Sequence, residues 1–264
     1  MDLLAGALET RQGLPPRREF IRKYVDAPQP VLAHGLTKNW RAMDLWTFDW
    51  FRRNHGDAIV PQGNKRTISV REAMDRVEKC ASGGPMYYLL MDLQCAPGLK
   101  SDFSYPDFHT LEPLARTVLW IGPAGTRSPV HYDDGHTFFT QIVGRKRIQL
   151  YSPEATQYFL PRVRYQFFSV YLNEVSHSED GLPHGQGDLE LLLDGNHPKP
   201  YVDFIIEPGE TVFIPSHWEH RVTSLEPSVS VSYQWMPIAA LARRLPKLAV
   251  QWLGGATALV EWRG

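Results

Sequence analysis

The sequence predicts a mainly β fold, an antiparallel sandwich or barrel with helices at both ends. Three observations carry this expectation. From about residue 116 onward, TVLWIG, FFTQIVGRKRIQLYS, YVDFIIEPGETVFIPS and HRVTSLEPSVSVSYQW are rich in β-branched and aromatic residues and punctuated by Gly and Pro. The last of these ends in a strict alternation, with Val229, Val231, Tyr233 and Trp235 on one face and Ser228, Ser230, Ser232 and Gln234 on the other. Short strands follow one another without helices between them, the pattern of an antiparallel sandwich or barrel.

The flanks read differently. PRREFIRKYV (16–25) sets Phe20, Tyr24 and Val25 at helical spacing, and TFDWFRRNHGD (47–57) starts on Thr47 as an N-cap and stops near Gly56. In SVREAMDRVEKC (69–80), Ser69 and Glu72 have the spacing of a capping box, and Val70, Ala73, Met74 and Val77 form an apolar stripe. The tail IAALARRLPKLAVQWL (238–253) is helical in pattern and broken by Pro246; its stripe of Leu241, Leu245, Leu248 and Trp252 fits either a homodimer contact or an intramolecular cover. Residues 172–200, polar and rich in Gly and His, read as a long loop. The expected organisation is one domain over 1–264: an N-terminal elaboration of helices and strands (1–115), a β core (116–237) and C-terminal helices (238–264).

Bulk properties narrow the function. A length of 264 residues is enough for a sizeable core, and 43% hydrophobic with 22% charged residues is ordinary for a globular chain. A net charge of −1 without a like-charge run gives no reason to expect nucleic acid, which needs a concentrated basic surface. Two cysteines, Cys80 and Cys95, make neither a disulfide framework nor a cysteine zinc site. The start, MDLLAGALETRQGLPP, has no basic region before its short apolar run, and no stretch approaches the roughly 20 apolar residues of a membrane span. A cytoplasmic setting with no membrane partner is the expectation.

The chemistry gathers around VHYDDGHTFF (130–139). On an extended chain, His131 and Asp133 point to the same side with Cα atoms about 6.5–7 Å apart, close enough to share an ion at bonds of about 2 Å, while Asp134 points away. A third ligand is needed, and VFIPSHWEHRVTS offers two histidines. His220 directly precedes a strand on rigid backbone; His217 sits on the turn and is expected to face solvent. Two His and one carboxylate with other positions open form the facial triad of non-haem Fe(II) oxygenases. An isolated H-x-D also arises by chance and in ordinary cores, so a further feature is required. Lys146 supplies one, sharing the parity of Ile142, Ile148 and Leu150. Turned inward, it needs a carboxylate partner, which a dicarboxylate cosubstrate would provide; turned outward, it is a solvated edge lysine.

SPVHYDDGHTFFTQIVGRKRIQLYSP followed by EPGETVFIPSHWEHRVTSLEPSVSVSYQW resembles the JmjC or cupin-like oxygenases, and within them the asparaginyl-hydroxylase type. EFIRKYVDAPQPVLAHGLTKNW resembles the start of such proteins, so the likeness covers about 17–237. It implies a double-stranded β-helix (jelly-roll or cupin) core, and an Fe(II)- and 2-oxoglutarate-dependent dioxygenase that consumes O2 and hydroxylates an unactivated C–H bond of a peptide, a protein side chain or a small metabolite. By the same likeness, His131, Asp133 and His220 correspond to iron ligands and Lys146 to the partner of the distal 2-oxoglutarate carboxylate. Ser128 stands where a hydroxyl helps to hold that carboxylate, and Tyr88, with Tyr87 as rival, where a phenol does. Thr137 and Ser232 occupy positions where family members have Asn, a departure that bears on cosubstrate orientation. Asp as the acidic ligand is the hydroxylase form; many demethylating relatives have Glu. Three alternatives stand beside this reading: a demethylase, a cupin-like binding or dimerisation module without catalysis, and a zinc hydrolase, for which Glu219 is the nearest base but is expected to point outward from the turn.

Overall fold

The computed structural model describes residues 6–62, 66–81, 89–106, 115–128, 131–133, 135–153 and 201–235. The chain opens with β1 (Glu9–Gln12), α1 (Arg17–Phe20), which runs into a wider π-type turn (Ile21–Asp26), and β2 (Val31–His34). Then come α2 (Ala42–Leu45), α3 (Phe48–Asn54), β3 (Ile59–Gln62), β4 (Arg66–Ser69), α4 (Val70–Ala81) and β5 (Leu89–Asp92). Seven further strands complete the core: β6 (Ala115–Gly122), β7 (His136–Val143), β8 (Lys146–Tyr151), β9 (Val202–Ile206), β10 (Thr211–Ile214), β11 (Glu219–Ser224) and β12 (Ser228–Trp235).

The caps are largely those the sequence specifies. The Thr47 side chain accepts from Trp50 N–H at 3.0 Å, and Ser69 Oγ accepts from Glu72 N–H at 3.1 Å. The box at Ser69 is only half formed, because the Glu72 carboxylate turns to Arg76 one turn further on, at 2.8 Å.

The core is the expected mainly β jelly roll. A seven-stranded sheet in the order β1-β2-β10-β7-β12-β6-β5 faces a three-stranded sheet, β11-β8-β9. β3 and β4 form a separate hairpin. Three of the seven strands (β1, β2 and β5) come from the first hundred residues, so the N-terminal segment builds the main sheet as well as covering it. The β7–β8 hairpin turns at Gly144, whose φ of +68° suits glycine, and where an added Cβ would lie 2.3 Å from the Pro227 carbonyl oxygen. This tight turn carries the chain from one sheet to the other.

Both faces of the large sheet are buried. Its outer face sends Leu89, Met91, Leu119, Ile121, Ile142, Val229 and Val231 into an apolar layer with Trp46, Phe51 and Met74. Its inner face meets the small sheet: Leu32, Phe139, Val212 and Ile214 pack with Ile148, Leu150, Val202 and Ile206. Interleaved with these inward apolar groups are buried polar ones, Thr137, Gln141, Ser230, Ser232 and Gln234. Among the described residues no helix is long and apolar enough to cross a membrane. The loop expected at 172–200 and the tail stripe Leu241, Leu245, Leu248 and Trp252 lie outside the described residues.

Candidate metal centre

The site is built where the H-x-D segment meets the start of β11. Of the strand expected through 129–133, the described residues 131–133 carry one bridge: His131 N–H donates to His220 O at 3.1 Å, and His220 N–H to His131 O at 2.6 Å. A directly opposed antiparallel pair places two side chains side by side, and the two imidazole centroids lie 4.2 Å apart. Asp133 follows on the same side. One ligand atom from each of His131, Asp133 and His220 lies within 4.8 Å of the others. Asp134, expected to point away, lies outside the described residues.

His220 is prepared as a neutral ligand. Its Nδ1–H donates to Trp218 O at 2.9 Å, which leaves Nε2 with its lone pair toward Asp133 Oδ2, 3.9 Å away. Burial, reinforced by the neighbouring His131, pushes its pKa down to about 4. Trp218 is itself pinned by an Nε1–H bond to Pro28 O at 2.8 Å, so the turn before β11 is anchored to the N-terminal segment. Asp133 is held at both ends. Its backbone carbonyl accepts from His217 N–H at 2.9 Å, and its Oδ2 accepts from Gln234 Nε2 at 3.1 Å and faces Thr137 Oγ1 at 3.5 Å.

His217 itself is exposed at the tip of the turn, with φ +66°, and stacks on Tyr132 at 5.4 Å. Glu219 is placed differently from the expectation: it begins β11 and is 6% exposed. Strand pairing draws it off the turn, and alternation directs it to the side opposite His220, away from the ligand atoms. His136 is buried, with its pKa pushed by burial to about 4, and its Nδ1 accepts from Ser216 N–H at 3.1 Å; it braces the turn.

Lys146 points inward. It is 6% exposed, its Nζ lies 5.5 Å from the Phe139 ring centroid, and burial alone pulls its pKa down to about 7. Among the described residues no carboxylate pairs with it. The adjacent Arg147 points out and pairs with Asp203. Ser128 and Ser232 both carry local bonds: Ser128 Oγ accepts from Val222 N–H at 3.0 Å, and Ser232 Oγ from Trp120 Nε1–H at 3.1 Å. Each hydroxyl keeps its own proton to donate. Tyr88 and its rival Tyr87 lie outside the described residues. The residue that sequence reasoning missed is Gln234; the alternation of β12 already put it on the face of Ser232.

This donor set fits a divalent transition ion: two imidazoles and one carboxylate converge, without thiolates, and leave coordination positions open. Residues 16–240 match the Cupin-like domain family. The chain is 30% identical over 257 residues to lysine-specific demethylase 8 of Xenopus tropicalis, covering 88% of this chain and 55% of that protein. It is 33% identical over 242 residues to lysine-specific demethylase 8 of Danio rerio (84% and 56%), and 35% identical over 250 residues to JmjC domain-containing protein D of Dictyostelium discoideum (82% and 54%). The chain thus spans about half the length of these relatives. Their names are those of demethylases and JmjC proteins, so the resemblance holds for the JmjC and cupin-like domain as a whole and not for the asparaginyl-hydroxylase type in particular.

Proposed function

The chain belongs to the Cupin-like domain family, and from that premise and the geometry above we propose that it is an Fe(II)- and 2-oxoglutarate-dependent dioxygenase that hydroxylates an unactivated C–H bond. JmjC oxygenases use Fe(II), 2-oxoglutarate and O2. The observation that carries the proposal is a joint one: His131, Asp133 and His220 converge at one end of a barrel whose interior also holds a buried lysine that no carboxylate among the described residues pairs with.

In this reading His131, Asp133 and His220 hold the metal. The bound group supplies oxidative decarboxylation of the cosubstrate by O2, which puts one oxygen atom into the substrate C–H bond and the other into succinate, with release of CO2. The protein's own work is binding and orientation. Burial keeps His220 neutral at working pH, and Trp218 O fixes its tautomer so that Nε2 stays available. Lys146 receives the distal carboxylate, which satisfies a charge that the barrel otherwise buries at a cost. In register it sits opposite Ser224, four residues along β8 from the Leu150–His220 pair, about 13 Å of strand. A lysine side chain and a five-carbon diacid together span such a gap. The Ser128 hydroxyl donates toward the same carboxylate, as Tyr88 does by resemblance. Thr137 steadies Asp133, and Ser232 lines the cosubstrate's inner wall. The apolar groups around Phe139 and Ile148 keep bulk water from the cosubstrate's carbon chain.

A peptide, a protein side chain or a small metabolite is the substrate. The names of the two demethylase relatives favour a second reading in which the oxidised carbon is an N-methyl group, lost afterwards as formaldehyde. Both readings share the metal site, Lys146 and succinate formation, and they part at the product.

The test begins without substrate. Anaerobic addition of 2-oxoglutarate to the Fe(II)-loaded protein is expected to develop a metal-to-ligand absorption band, and air to yield succinate slowly. Lys146→Ala is expected to weaken 2-oxoglutarate binding by about 1.5–3 kcal/mol; unchanged binding in that variant would refute the assignment. Mass spectrometry then separates the products: +16 Da for hydroxylation, −14 Da with formaldehyde for demethylation.

A further inference from the structure

Asp133 lies outside any strand, next to a bridge of one residue pair. The terminal torsion of an aspartate is broad, so nothing intrinsic fixes the plane of its carboxylate. Two imidazoles on paired backbone need that carboxylate at a defined angle to share one ion. The geometry points to Gln234 as the positioning residue that sets this angle, an inference that rests on the metal centre proposed above.

Gln234 lies on β12, which is hydrogen-bonded on both sides, to β6 and to β7. It is 8% exposed and shares the inward face with Ser230 and Ser232. Its Nε2 donates to Asp133 Oδ2 at 3.1 Å, and the same oxygen looks toward His220 Nε2 at 3.9 Å. An ionised carboxylate only accepts, so the amide nitrogen is the end that must face it. Thr137, one residue along β7 from His136, reaches the same oxygen at 3.5 Å, a weaker contact. The stronger side-chain hold on the Asp133 carboxylate therefore comes from a long polar side chain on a rigid central strand. The neighbouring inward residue, Ser232, is too short to reach and is engaged by Trp120. A buried amide is costly unless bonded, and this one spends its donor on the metal-binding aspartate. Loss of such an outer-shell partner weakens metal binding by about 10–100-fold.

The test is Mn(II) binding by calorimetry to the metal-stripped full chain, with Co(II) absorption as an independent signature. Gln234→Met keeps length and bulk and removes the donor. We expect it to bind Mn(II) about 10–100-fold more weakly, with an altered Co(II) spectrum and an unchanged melting temperature of the metal-free protein. Gln234→Asn, which withdraws the amide by one methylene, is expected to lose affinity as well. Ser230→Ala, whose hydroxyl bonds Gln141 on the same face, should bind as the parent does. If Gln234→Met binds Mn(II) as tightly as the parent, the positioning role is refuted. Should that variant melt early, Gln234→Asn and the Co(II) spectrum of the folded fraction decide by the same criterion. A parent protein that fails to bind Mn(II) refutes the metal centre itself.

Discussion

The two faces of the seven-stranded sheet are buried alike, but the inner one interleaves a row of polar side chains with its apolar groups while the outer one is mostly apolar. The outer face presents Leu119, Ile121, Val229 and Val231 to a layer of tryptophan, phenylalanine and methionine. The inner face sets Thr137, Gln141, Ser230, Ser232 and Gln234 among Leu32, Phe139, Val212 and Ile214, and looks across at an inward lysine. Apolar burial contributes about 25 cal/mol per Å2, whereas buried polar groups need partners merely to break even. The outer face holds the sheet together; the inner face gives up stability to keep donors and acceptors where chemistry uses them.

Replacing groups on each face tests this division. The largest effect belongs to the inner side. Asp133→Ala should abolish turnover and weaken Mn(II) binding by more than the about 100-fold that an outer-shell loss can reach, while the metal-free protein keeps its urea midpoint. On the outer face the pattern reverses. Leu119→Ala should cost about 2–5 kcal/mol in urea unfolding, with Mn(II) affinity of the folded protein unchanged. Were Leu119→Ala to impair metal binding at full stability, the division between the faces would fail.

Lys146→Met exposes the trade-off within a single residue. It removes a buried charge that no carboxylate among the described residues pairs with, so the metal-free variant should melt higher than the parent. It should also lose about 1.5–3 kcal/mol of 2-oxoglutarate binding, the worth of a charged hydrogen bond. The pH dependence follows from its depressed pKa of about 7, against 10.5 in the unfolded chain. Between those values the unfolded state holds a proton that the folded state has released, so stability rises with pH across that window. Below about 7 both states carry the proton, and the full cost of burying the charge remains. The difference in melting temperature between Lys146→Met and the parent should therefore shrink from pH 7 to pH 10; a constant difference would mean that the lysine is not desolvated. The smallest effect is expected next door. Arg147→Ala removes an exposed pair with Asp203 and should change stability by about 0–1 kcal/mol, without touching cosubstrate affinity.

The contrast also explains what could be read in advance. The β-rich half, the Thr47 cap, the α4 stripe and the alternation of β12 are local properties, and local rules recover them. The strands β1, β2 and β5 are four residues each, too short for a period to register, and tertiary pairing decides them. PVHYD reads as a strand, and its described part, 131–133, makes one bridge. Glu219 was expected on the turn and is drawn into β11. Both depend on which strand ends meet, a fact with no signature in either segment alone.

The sequence by itself determined the kinds of atoms available: two histidines, an aspartate and a lysine at parities that allow them to face inward, within a chain patterned for a rolled sheet. Only the tertiary structure decided that His220 lies opposite His131, that Lys146 enters the barrel with no carboxylate among the described residues paired to it, and that Gln234 reaches Asp133. Side-chain parity is fixed within a few residues of chain, but convergence needs strands about 90 residues apart in sequence to pair in one register, and that register is set by the packing of the whole core.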